Sequence, residues 1–105
     1  HDKMLYFAVS DTDAFAAPLS QLASIDVVDT DTINFTFIGG SLTGGNTKSA
    51  IITCDITAAT HPACIKTLSE YFYASGSMTQ NYLEVAVAAD GLGTITACTT
   101  IAITQ

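Results

Sequence analysis

The sequence predicts an α+β domain: a mainly antiparallel β-sheet with one packed α-helix, at about residues 61–75. Two patterns carry this expectation. Several short segments alternate apolar and polar residues, the period of a half-buried strand. A single segment, Thr60 to Gly76 (THPACIKTLSEYFYASG), has a helical period instead. A chain of 105 residues makes one domain, 1–105. Folding a chain of this size buries roughly 60–65% of its unfolded surface, enough for one modest core.

Within the helical segment, Cys64, Ile65, Leu68, Tyr71, Phe72 and Ser75 line up as one stripe, with Lys66, Thr67, Ser69, Glu70 and Tyr73 mostly opposite. Pro62 suits a first turn, where a missing N–H costs nothing. Thr60 and His61 are the candidate N-caps, and threonine is the better capping residue. Gly76 enters the left-handed conformation of a C′ position freely. A helix this short is marginal alone in water, so its stripe is expected to dock on the flanking strands.

Taken in order, Met4–Val9 is a continuous apolar run that reads as a central strand, ended by turn residues Ser10–Asp13. Ala14–Leu22 contains Pro18, which points to an irregular or edge segment. Ile25–Val27 is a brief strand. Asp29–Thr32 then turns into Ile33–Phe37, with Ile33, Phe35 and Phe37 inward, so a hairpin is expected. Gly39–Asn46 is a glycine-rich loop, and Lys48–Ile56 places Ala50, Ile52, Cys54 and Ile56 on one face. Beyond the helix, Tyr82–Ala88 turns Leu83, Val85 and Val87 inward, and Asp90–Gly93 has the composition of a hairpin loop. Strict alternation over Thr94–Thr104 sets Ile95, Ala97, Thr99, Ile101 and Ile103 on one face and Thr94, Thr96, Cys98, Thr100, Ala102 and Thr104 on the other. The expected order is β-β-β-β-α-β-β, without repeats or linkers.

Charge excludes whole classes of partner. The net charge is -7, there is no arginine, and the cations are Lys3, Lys48 and Lys66. Displacing counterions from nucleic acid needs a basic surface, so no nucleic acid is expected as partner; anionic membrane is disfavoured alike. No run of 18 apolar residues exists to span a bilayer. Hydrophobic residues make up 49% and charged ones 12%, with mean hydropathy +0.40. Such a balance predicts that a partner covers part of the surface; small residues, cheap to expose, are the alternative account. His1 begins the chain without an initiator methionine, so either a preceding segment has been removed or His1 and Asp2 are left over from processing; no signal peptide is visible, and a cleaved one would leave no trace.

Candidate sites each meet a simpler reading. The loop 40–48, GSLTGGNTK, lacks the Gly-Lys-Ser/Thr of a phosphate loop and leads to no helix N-terminus. The triplets Asp11–Asp13 and Asp29–Asp31 have carboxylates suited to calcium, yet turn formation accounts for both. His1 lies at a terminus, whereas His61 and Cys64 are one helical turn apart, within reach of each other. A catalytic pair needs an exposed thiolate, and Cys64 falls on the core stripe. Tyr6, Tyr71, Tyr73 and Tyr82 could line a groove but suit core and interface packing. The threonines Thr94, Thr96, Thr100 and Thr104 suit a strand more simply than an ice-binding face. Cys54, Cys64 and Cys98 are odd in number and lack metal-ligand spacing, so buried free thiols of a reducing compartment are expected, or else a single bridge such as Cys54–Cys64.

The order of elements resembles that of small virion structural proteins of aquatic tailed phages. The pieces that carry it are Leu5-Tyr6-Phe7, Ala17-Pro18, Ile51-Ile52-Thr53, the helix from Pro62, and Val87-Ala88-Ala89-Asp90. The resemblance implies a capsid-decoration or cement-like role in the virion, with copies of the chain or a major capsid protein as partners. It transfers no functional residue. The expectation is therefore a non-enzymatic, self-assembling structural subunit with catalytic, cofactor and metal residues all none. One alternative is a subunit of a secreted fibre or surface layer, extracellular, in which Met4–Val9 or Thr94–Thr104 completes a neighbour's sheet. A small ligand-binding module with a pocket between helix and sheet is the other.

Overall fold

A computed structural model describes residues 4–38, 49–73 and 82–104. The coarse expectation holds: the described residues are mostly β-structure with a single α-helix. The strands are β1 (Met4–Ser10), β2 (Asp13–Pro18), β3 (Leu22–Asp29), β4 (Thr32–Ile38), β5 (Ser49–Ile56), β6 (Tyr82–Val87), the two-residue β7 (Asp90–Gly91) and β8 (Ile95–Thr104). A 3₁₀ turn, Leu19–Gln21, leads into β3, and the helix α1 spans His61–Tyr73.

One sheet was expected; the strands form two. The first has the order β2-β1-β6-β7 and the second β3-β4-β5-β8. Strand β1 is central, as its unbroken apolar run predicted. It pairs antiparallel with β2 and parallel with β6. Pro18 ends the edge strand β2, where a missing N–H leaves no central ladder broken. The hairpin β3–β4 forms as predicted, with Ile25 opposite Phe35 and Val27 opposite Ile33.

Aromatic rings join the two sheets. Phe7 of β1 lies 5.0 Å from Phe35 and 5.8 Å from Phe37 of β4, and Phe15 of β2 lies 5.5 Å from Phe37. Tilted and edge-to-face rings at such distances add about 0.5–1.5 kcal/mol per pair beyond their buried area. Around them Leu5, Ile33, Ile52, Cys54, Leu68 and Val85 are fully buried in one continuous core.

Two expectations fail in the C-terminal third. Asp90–Gly93 does not close a hairpin between β6 and β8. Ala88, at φ 53°, turns β6 back onto β7, and Gly93, at φ 58°, sends the chain across to the other sheet. Nor does β8 alternate strictly. Its pairing with β5 jumps from Ile56↔Ile95 to Asp55↔Ala97, and from Cys54↔Cys98 to Thr53↔Thr100. Thr96 and Thr99 are thus bulged residues. Each bulge sets two residues against one and reverses the parity of the strand beyond it. Ile95 and Cys98, on opposite faces by strict alternation, are both buried, while Thr99 and Ile103 are exposed.

In α1 the residues Cys64, Leu68 and Phe72 are buried and belong to the core. Ile65 is half-buried and Tyr71 exposed, so the apolar stripe is narrower than the one read from the sequence. Thr60 accepts the first helical hydrogen bond, from Cys64 N–H at 2.8 Å. Its hydroxyl donates backwards to the Thr57 carbonyl. Ser75 and Gly76 lie outside the described residues.

Candidate functional site

The most distinctive surface belongs to the sheet β3-β4-β5-β8. Val27, Val28 and Ile38 are exposed by 60%, 56% and 58%, and Ile51 and Ile103 by about 40%. Edge-strand bulging explains the first pair. Val28 is the extra residue between Val27 and Asp29, so consecutive valines leave the regular alternation at the open margin of the sheet. Strand β3 pairs only with β4 among the described residues, and such an edge offers unpaired backbone groups. Beside it, Thr53 Oγ1 donates to Asn34 Oδ1 at 2.8 Å, and Thr99 Oγ1 donates to the Thr53 carbonyl at 3.0 Å. The first of these bonds joins the central strands β4 and β5, and the second ties β8 to β5.

Among the described residues, His61 and Cys64 do not form a pair. His61 and Cys64 are both on α1, but His61 Nε2–H donates to the Asp29 carbonyl at 2.7 Å, at the end of β3. The Cys64 thiol is fully buried, and that burial raises its pKa, with the neighbouring Thr94 hydroxyl pulling the other way. A protonated, inaccessible thiol is a poor nucleophile. The carboxylates of the second Asp-Thr-Asp triplet serve the β3–β4 turn. Thr30 N–H donates to Asp29 Oδ1 at 2.7 Å, and Thr32 Oγ1 donates to Asp31 Oδ1 at 3.1 Å. Among the described residues no group of three His, Cys, Asp or Glu side chains could hold a metal ion. His1 and the loop 40–48 lie outside the described residues, as do the side chains of Tyr73 and Tyr82.

What sequence reasoning missed is the meeting of two thiols. Cys54 and Cys98 face each other directly across β5 and β8, both buried and both free thiols. Hydrogen bonding between them holds the proton on Cys54, whose pKa rises for that reason first and for burial second. The same bond lowers the pKa of Cys98, against the opposing effects of burial and of the Asp13 charge. The bulges at Thr96 and Thr99, one on each side of Cys98, set this pairing, and no one-dimensional pattern announces it.

Two shallow grooves flank the core. One, of about 220 Å³, is lined by Glu84, Val87, Asp90, Gly91 and Leu92. The other, of about 240 Å³, lies between β3 (Leu22–Ile25) and Ser69 and Phe72 of α1. Both are smaller than the roughly 300–1,000 Å³ of ordinary small-molecule sites. No helix here is long and apolar enough to cross a membrane, among the described residues. No protein-family model, curated protein or solved structure matches the chain.

Proposed function

We propose that this chain is a non-enzymatic structural subunit that assembles with copies of itself through the sheet β3-β4-β5-β8, as a capsid-decoration or cement-like protein of a virion. One observation carries the reading: Val27, Val28, Ile38, Ile51 and Ile103, the exposed large aliphatics of the described strands apart from Met4, all belong to that sheet. Covering a valine or isoleucine side chain is worth about 1.5–3 kcal/mol, so a few of them suffice to drive association. The packing of α1 belongs to the same reading. His61 reaches the Asp29 end of β3, and Phe72 lines a groove with Leu22 and Ile25. The helix would thereby brace β3 and hold its valines outward.

The virion setting is supported by the resemblance in element order, and the acidic, arginine-free composition suits the outside of a particle. Strand exchange of the secreted-fibre kind has no such support, because β1 and β8 both pair inside their own chain.

Sedimentation velocity across a range of protein concentrations tests the proposal. The wild type is expected to associate as concentration rises, and Val27→Lys with Val28→Lys to weaken that association by tenfold or more, about 1.4 kcal/mol. A wild type that sediments as a monomer throughout, or a double variant that assembles unchanged, would refute it.

A further inference from the structure

We propose that Cys54 and Cys98 are a disulfide-forming pair, a reversible cross-strand staple that closes β8 onto β5 when the chain meets a disulfide oxidant. The argument is geometric. The two residues are direct partners in the antiparallel ladder, and both side chains point into the core, at 0% and 4% exposure. Directly opposed residues in such a ladder have Cα atoms about 4.5–5.5 Å apart. A disulfide spans about 4.4–6.8 Å between Cα atoms. The bond therefore forms across an existing register, without the strands having to slide.

Position in the sheet assigns their roles. Cys98 lies on the outermost strand β8 and is the less deeply covered of the two, at 4% against 0% exposure, so it meets the oxidant and attacks first. The oxidant is a small-molecule disulfide such as oxidised glutathione. Cys98 Sγ bonds to one sulfur of that disulfide, whose S–S bond breaks and releases one thiolate. Cys54 then gives up its proton and attacks Cys98 Sγ, releasing the second thiolate. The protein loses two protons and two electrons, and the reagent leaves as two thiols. Access comes through β8, the last strand of its sheet, whose detachment uncovers both sulfurs. Cys64, on the helix, is left as the unpaired third thiol.

The staple joins positions far apart in the chain, so it restricts the unfolded state strongly. The test refolds the full chain from urea into a glutathione redox buffer and maps its peptides without reduction. Cleavage after Lys48 and Lys66 leaves Cys54 and Cys64 together on residues 49–66 and Cys98 on 67–105. The expected result is a protein lighter by two hydrogens, with those two peptides linked in the wild type and equally in Cys64→Ser. Oxidation should raise the Tm by about 10 °C in both, and leave the Tm of Cys98→Ser unmoved. Should Cys98→Ser fail to fold, Cys98→Ala replaces it, and the wild-type peptide map stands by itself. Three free thiols after refolding, or a bond confined to residues 49–66, would overturn the proposal.

Discussion

Gly93 shows how much a single residue decides. It adopts φ 58°, and a Cβ built there would lie 2.9 Å from Thr67 Cγ2 and 3.2 Å from Thr67 Cβ. A left-handed conformation costs a residue other than glycine roughly 1–2 kcal/mol, and the contact with the helix adds to it. Gly93→Ala should therefore lose about 2–3 kcal/mol in urea unfolding. Adding Thr67→Ser deletes the Cγ2 methyl and should recover the contact cost alone, leaving the conformational one. No recovery at all would show that Thr67 does not oppose Gly93. The glycine itself was visible in Asp90-Gly91-Leu92-Gly93 as turn chemistry. What it turns toward was not, since a positive φ says nothing of which sheet receives the next strand.

Among the elements, α1 and β8 differ sharply in how well their patterns could be read. The helical period survives because Cys64, Leu68 and Phe72 recur every four residues and are buried together. Leu68→Ala should cost about 2–5 kcal/mol, whereas Lys66→Ala, on the exposed side, should stay within about 0.5 kcal/mol. Matched urea titrations decide this, and equal costs would mean that the helix does not contribute to the core. In β8 the pattern misleads. Its β-branched residues occur on both faces, so nothing in the composition marks Thr96 or Thr99 as bulged. A bulge is a property of two strands compared, visible only once β5 lies beside β8.

For the whole molecule, charge and apolar surface act against each other. In the proposed assembly, chains of net charge -7 repel one another, while covering the exposed aliphatics of β3-β4-β5-β8 would favour contact. Raising ionic strength from roughly 0.01 M to 0.15 M shortens the Debye length from about 30 Å to about 8 Å. Association should accordingly tighten several-fold with added NaCl, measured by sedimentation; weakening with salt would point instead to an interface of opposite charges. The sequence by itself determined the local periods, strands where apolar residues alternate and a helix where they recur at three and four, together with a net charge of -7. These arise from backbone geometry and side-chain charge within a few residues. Only the tertiary structure decided that the strands divide into two sheets facing each other through Phe7, Phe15, Phe35 and Phe37, that β1 and β6 run parallel, and that Cys54 meets Cys98. Each of these depends on which distant segments share a register. That choice is made by core packing between residues tens of positions apart, which no local pattern encodes.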